Sequence, residues 1–415
     1  MLDRMSLPQG VKDFPPQRAE EVRRIQNTLL EEFSRWGYRA VITPLFESLD
    51  TILAGLGENL RDKVLKFVDP TTGEVAALRP DITPQVARMV ALELKNHEVP
   101  LRLCYSGKVV RFEEKGSGRE REIFQVGCEL IGAKGAEADA EIMALAVKSL
   151  ERLGIKNVIL DIGHTGFLRQ LLAATGEAEG EIEEALKKKD TEALARAVSS
   201  ADLPPKVSSA LLALPELFGD RSILKRALSL PLIGRYAREV EQVLSLLDDF
   251  SLNCGVNIDF GEVRGFTYYT GMTFELLSPH SPYPLVRGGR YDQLLRSYGH
   301  DLPGAGFAVD VESVGGVARG ASEDHHVHFI VIPKRSGLRR EAIMLAQWLR
   351  SSGFRVVLEM KPAKITAGEP SSGGELSYYG IILIESPKRL KMIESRSGSI
   401  KEFSNLEDLL KGGGI

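Results

Sequence analysis

The sequence predicts an α+β protein: a mainly antiparallel sheet flanked by helices, a helical insertion, and a small C-terminal α/β domain. Three observations predict it. Apolar runs between residues 38 and 131 are short and separated by turn residues, in the manner of repeated hairpins. From Phe167 to about Leu252 the pattern turns helical, rich in Ala, Leu, Glu and Lys, before strands resume at Asn257. Beyond a charged break at Gly320–His326, strands and one amphipathic helix make a βαβ-type unit. A chain of 415 residues is too long for one compact core. The expected division is residues 1–320, with the insertion at about 165–252, and residues 325–415.

Each element has a local reason. Leu7 to Pro16 is turn-rich and extended. Val22, Ile25, Leu29, Leu30 and Phe33 recur at helical spacing. Tyr38–Thr43 is a strand stopped by Pro44. Val64–Val68 and Val75–Leu78 flank the turn Asp69-Pro70-Thr71-Thr72-Gly73 as a hairpin. An amphipathic helix is expected from about Pro84 to His97, then strands at Leu101–Tyr105, Val109–Phe112 and Ile123–Ile131. A helix over 138–153 and a strand at Val158–Ile162 precede the insertion, and Asn257–Phe260 and Met272–Leu276 follow it. In the last unit Phe329–Ile332, Phe354–Glu359 and Tyr378–Ile384 are strands and Leu338–Leu349 a helix. Lys361–Ser377, rich in Gly, Pro and Ser, carries no helical pattern.

Composition narrows the class. Hydrophobic content of 43% and charged content of 27% describe an ordinary globular protein. A net charge of −4 gives no global field toward nucleic acid or acidic membranes. Cys104, Cys128 and Cys254 form no CxxC pair, which excludes a disulfide scaffold and a thiolate zinc site and fits a reducing, cytoplasmic setting. His325, His326 and His328 are read as exposed residues at a domain junction, and no metal or cofactor is expected. No run of about 18 apolar residues occurs, so no membrane span is expected.

The polar residues within apolar strands carry the chemistry. Arg111 and Glu113 share one face of a strand, and Gln125 and Glu129 share one face of the next. Either these groups form mutual ion pairs on a solvent-facing sheet, or they converge on a bound polar ligand, because unpaired burial costs roughly 1–3 kcal/mol each. In Arg79-Pro80-Asp81-Ile82-Thr83-Pro84, either Asp81 or Thr83 caps the following helix, or Asp81 holds an amine. Arg264-Gly265-Phe266-Thr267-Tyr268-Tyr269-Thr270-Gly271 places an aromatic wall beside flexible backbone. Arg287-Gly288-Gly289-Arg290-Tyr291-Asp292 permits close backbone approach, without the spacing of a P-loop or a GxGxxG fingerprint. Gly304 to Ser313 is a glycine turn entering a strand and a helix.

In this order and spacing the segments resemble the class II histidyl-tRNA synthetase family over residues 7–315. Residues 111–129 look like its motif 2, 264–271 and 287–292 like its two histidine signatures, and 306–314 like motif 3. The resemblance implies a six-stranded antiparallel sheet, a helical insertion and a homodimer. It also implies that L-histidine is bound by Asp81, Thr83, Arg111, Gln125, Glu129, Arg264, Tyr268, Tyr269 and Tyr291. Imidazole needs an acceptor carboxylate and favours an aromatic wall, and the α-amino group needs oxygens.

The departures point to one branch. Ser313 stands where the family's motif 3 has an arginine for ATP, and a hydroxyl lacks the guanidinium fork that grips phosphate. Asp310 replaces a glycine and adds negative charge nearby. The motif 2 loop is Glu114-Lys115-Gly116 rather than Pro-Gln-Gly, and Thr267 replaces an acid. The C-terminal unit lacks the later helix of an anticodon-binding domain. This resembles the regulatory-subunit branch, whose members join a short-form ATP phosphoribosyltransferase catalytic subunit in a hetero-oligomer at the first step of histidine biosynthesis. The resemblance implies feedback signalling with no catalytic residues of its own and no tRNA; the alternative is an active histidyl-tRNA synthetase.

Overall fold

The computed structural model describes residues 7–56, 58–112, 120–262, 268–318, 327–359, 378–395, 397–404 and 408–409. The chain divides into two compact units, residues 1–321 and 322–415. No helix among the described residues is long and apolar enough to cross a membrane.

In the first unit nine described strands form one sheet. In spatial order they are Arg39–Ala40, Leu101–Val110, Glu122–Ile131, Gly304–Asp310, Val286–Arg290, Met272–Leu277, Ile159–His164, Gly255–Asp259 and Phe218–Gly219. The six from Leu101–Val110 to Ile159–His164 are antiparallel throughout. Parallel strands extend the sheet at both sides: Arg39–Ala40 beside Leu101–Val110, and Gly255–Asp259 beside Ile159–His164. Residues 101–110 form one continuous strand rather than the two expected, because Ser106 and Gly107 stay in register with Val126 and Gln125.

Strand alternation gives this sheet two different faces. Cys104, Cys128 and Phe307 point toward the helices Pro16–Arg35 and Ala136–Arg152. The first of these helices buries Val22, Ile25, Leu29 and Phe33 at helical spacing, each contributing about 1.5–3 kcal/mol. Phe33 meets Phe307 edge to face at 5.5 Å. Leu103, Tyr105 and Tyr291 lie on the other face, beneath the helix Thr83–Leu92. That helix is shorter than expected: the chain turns at Leu94–His97, where the apolar period lapses into Lys95 and Asn96.

The hairpin at residues 66–78 forms as read, with Lys66–Val68 antiparallel to Val75–Leu78. Gly73 closes it at φ +73, a left-handed position that glycine adopts without a Cβ clash. Phe46–Ser48 adds a third strand. The helical insertion runs from Thr165 to Asp249 and contains one short strand, Phe218–Gly219.

In the second unit the sheet order is Val356–Leu358, Val327–Pro333, Tyr378–Ser386, Arg389–Glu394 and Ile400–Phe403. The first three are parallel and the last two are antiparallel additions that the sequence reading missed. The helix Arg339–Ser351 packs Ala342, Leu345, Ala346 and Leu349 onto Phe329, Val331 and Ile382. The segment Lys361–Ser377, and His325 and His326, lie outside the described residues.

Candidate functional site

The site is assembled on the face of the sheet covered by the helix Thr83–Leu92. The segment Arg79–Gln85 enters that helix and is held at both ends. Arg79 is buried; its Nε donates to the Lys108 carbonyl at 2.7 Å, and Nη1 to the Thr43 carbonyl and hydroxyl, both at 3.0 Å. Gln85 Nε2 donates to the Pro44 carbonyl at 2.9 Å and to Glu47 at 3.0 Å. Asp81 and Thr83 lie between these two anchors, so their positions are fixed relative to the sheet.

Asp81 is not the helix cap. The residue at the cap position is Ile82, with no side-chain cap bond. One Asp81 oxygen accepts from the Ile82 N–H at 2.9 Å and the other from the Tyr268 hydroxyl at 2.8 Å. Thr83 does not cap either: its hydroxyl donates to Glu129 Oε1 at 2.6 Å. Burial pushes the Asp81 carboxyl above its ordinary range, and the Arg111 charge opposes that shift. Arg111 is itself buried and donates from Nε to the Pro80 carbonyl at 2.7 Å.

Asp81, Thr83, Arg111, Gln125, Tyr268, Tyr269 and Tyr291 all line one cleft of about 540 Å³, solvent at its mouth included. Gln125 is paired across the sheet with Gly107 and Asp310, and its Oε1 is buried with no hydrogen-bond partner among the described residues. A polar ligand would supply one. Tyr268 and Tyr269 lie 4.9 Å apart, and Tyr268 meets Tyr291 edge to face at 6.0 Å.

Glu129 lies behind this wall. It has 0% exposure, and its Oε2 accepts from the Tyr291 hydroxyl. Burial drives its carboxyl up to about 8; the Thr83 and Tyr291 hydroxyls oppose the shift and Asp81 adds to it. Opposite Glu129 in the ladder is Gly306. A Cβ there would overlap the Glu129 carboxylate, so the absent side chain is what makes room for the acid.

A solvent-facing sheet with mutual ion pairs is therefore excluded for Gln125 and Glu129, which are buried and meet hydroxyls or the cleft. Glu113, Arg264 and Thr267 lie outside the described residues. Two groups were overlooked. Tyr105 places its hydroxyl 3.5 Å from that of Thr83, against Glu129. Arg287 reaches the cleft while donating to Glu275 at 2.9 Å. Tyr105 stands opposite Gly127, whose missing side chain leaves room for the ring.

A second cleft of about 1080 Å³, solvent again included, shares Arg111, Ile123, Arg287 and Asp310 with the first. Ser313 lies in its wall. Three of its cations are carboxylate-paired: Lys12 with Glu120 at 3.0 Å and with Glu312, Arg18 with Glu21, Arg287 with Glu275. Asp310, read from sequence only as a repelling charge, has a structural task. It caps the helix Val311–Val317, accepting from the Glu312 and Ser313 N–H groups at 3.0 Å each.

Comparison with known proteins matches this geometry to a family. The model of the histidyl-tRNA synthetase family matches residues 10–314. An ATP phosphoribosyltransferase regulatory subunit of Geobacter sulfurreducens is 40% identical over 84% of this chain and 81% of its own. Another, from Anaeromyxobacter dehalogenans, is 40% identical over 75% of this chain and 90% of its own. The chain belongs to the ATP phosphoribosyltransferase regulatory subunit family. A solved structure from Bacillus halodurans, described as an ATP phosphoribosyltransferase regulatory subunit/histidyl-tRNA synthetase, superimposes with a TM-score of 0.75. It is 30% identical, and the match covers 86% of this chain and 92% of that one. Histidyl-tRNA synthetase from Nostoc has only 16% identity but a TM-score of 0.80 over 98% of both chains. The regulatory-subunit family thus keeps the class II synthetase fold.

Proposed function

We propose that this regulatory subunit binds L-histidine in the first cleft and passes a feedback signal to a short-form ATP phosphoribosyltransferase catalytic subunit in a hetero-oligomer. The observation that carries the reading is the contrast between the two clefts. The first gathers oxygens at Asp81 and an aromatic wall at Tyr268, Tyr269 and Tyr291, with the Glu129 carboxyl behind that wall. These suit an α-amino group and an imidazole. In the second, Ser313 offers a hydroxyl where a phosphate grip would need a guanidinium, and Lys12, Arg18 and Arg287 already have carboxylates. The relatives' names supply the partner. Arg264 is assigned to the ligand's carboxylate end on the family resemblance alone.

The same reading makes the chain a homodimer that neither activates histidine nor reads tRNA, acting in the cytoplasm. Exposed apolar side chains support the dimer. Ile42 is 96% exposed, and Phe46 and Phe67, 5.4 Å apart, stand exposed on one side of the three-stranded sheet. Co-purification tests the assembly. The chain should elute with the short catalytic subunit, and L-histidine should inhibit that enzyme only when the chain is present. Separate elution, or inhibition without the chain, contradicts the proposal. The match to the histidyl-tRNA synthetase model favours one second reading, an active synthetase. Histidine-dependent exchange of pyrophosphate into ATP would establish it.

A further inference from the structure

Arg287 stands where the two clefts meet and lines both of them. On the strand Val286–Arg290 it shares a face with Gly289 and, just past the strand, with Tyr291. Gly289 keeps that face open: a Cβ there would meet the Tyr269 ring at 2.9 Å. Tyr269 therefore packs over the backbone that links Arg287 to Tyr291. Across the ladder Arg287 pairs with Ala308, whose short side chain lines the first cleft. On the far side of that strand, opposite Asp310, is Gln125, with its buried Oε1 unpartnered among the described residues. Arg287 and Gln125 thus face the same cleft across a small residue.

Among the described residues the cations of the first cleft are Arg111 and Arg287. Arg111 Nε is committed to the Pro80 carbonyl, and its charge acts on Asp81. Arg287 is committed on one edge alone. Its Nε donates at 2.9 Å to Glu275, its partner on the neighbouring strand. Its Nη1 and Nη2 have no hydrogen-bond partner among the described residues. A guanidinium carries five donors in a planar fork, so the Nη edge can take a second carboxylate. With Glu275 offsetting its charge, the fork suits a single carboxylate rather than a polyphosphate. Asp310, two residues beyond Ala308, turns Oδ1 to the Glu312 and Ser313 N–H groups.

We propose that Arg287 determines specificity by receiving the α-carboxylate of the ligand on its Nη edge, so that the first cleft takes the amino acid and discriminates against analogues without that charge. This rests on the histidine reading above. The Oε1 of Gln125 is an acceptor and suits the α-amino group, as Asp81 does; the α-carboxylate needs a donor, and Arg287 supplies it. Arg264, assigned to that end on the resemblance, lies outside the described residues; Arg287 is the cation that the geometry puts there.

Calorimetric titration of the full chain with L-histidine and with L-histidinol separates the carboxylate from the rest of the ligand. Histidinol keeps the imidazole and the amino group and carries a hydroxymethyl group in place of the carboxylate. The parent should prefer L-histidine. Arg287→Gln should weaken L-histidine by about 10- to 100-fold and leave L-histidinol within about threefold. The Arg287 side chain is 36% exposed, so the exchange leaves the core intact. If Arg287→Gln nevertheless fails to fold, Glu275→Gln gives the converse reading: with the competing carboxylate gone, the preference for L-histidine over L-histidinol should widen. Equal weakening of both ligands in Arg287→Gln, unchanged L-histidine affinity there, or an unwidened preference in Glu275→Gln overturns this inference and leaves the histidine reading standing. A parent chain that binds neither ligand overturns both.

Discussion

Glu129 makes the unliganded protein sensitive to alkali. Its carboxyl ionises at about 8 in the folded state against 4.5 for the unconstrained group. Between those values the unfolded chain gives up a proton that the folded chain keeps, so stability falls as pH rises through this window. At pH 8 the loss is on the order of a few kcal/mol. Glu129→Gln should therefore melt higher than the parent at pH 8 without ligand, with the advantage gone at pH 4.5; calorimetric scans across pH check the sign. Gly306→Ala should act oppositely. Its Cβ meets the Glu129 carboxylate, and such overpacking costs roughly 1–3 kcal/mol. Denaturant melts should show that loss together with loss of histidine binding. At this scale much was legible. Strand parity placed Gln125 and Glu129 on one face; the adjacent tyrosines between glycines gave the wall at Tyr268 and Tyr269, and the resemblance added Tyr291. Tyr105 was not legible, because an aromatic residue in an apolar strand gives no sign that its hydroxyl has a polar partner.

Elements hold the site through groups that never touch its cleft. Arg290 joins the strand Val286–Arg290 to the helix Ala136–Arg152, donating to Asp139 at 2.9 Å where both are buried. Its backbone carbonyl accepts from the Thr270 N–H at 2.8 Å, and the Thr270 hydroxyl accepts from the Asp292 N–H at 2.8 Å. The turn carrying Tyr268 and Tyr269 is thereby fastened to the one carrying Tyr291. Arg290→Met would leave Asp139 buried and unpaired, at a cost of about 3–5 kcal/mol. Equilibrium unfolding should register that loss, and Asp139→Asn in the same background should recover part of it. The central strands were readable from their alternation and turns. The edge strands were harder: Phe218–Gly219 is two residues long, too short for a period to show, and Arg39–Ala40 is the short remnant of the strand expected over Tyr38–Thr43. Arg389–Glu394 does alternate, with Leu390 and Met392 buried, but its charged residues, which pair with Glu385 and Glu402, resemble a loop in composition.

At the scale of the whole molecule, the fold is that of a synthetase. Ser313 and Asp310 were read as departures on the resemblance; that Asp310 also caps a helix needed the geometry. Ile42, Phe46 and Phe67 leave large apolar side chains exposed. If these side chains form the interface of the proposed homodimer, the double variant Ile42→Asp/Phe46→Asp should sediment as a monomer in analytical ultracentrifugation, and an unchanged dimer would place the interface elsewhere. If the subunit signals through histidine, ligand and partner must alter each other's affinity equally, by about 1–3 kcal/mol. The most direct test is feedback inhibition of ATP phosphoribosyltransferase reconstituted from both subunits, with the parent chain and with Glu129→Ala. Inhibition by L-histidine that disappears in the variant, while the complex still assembles and turns over, is the predicted result. Undiminished inhibition in Glu129→Ala would contradict it.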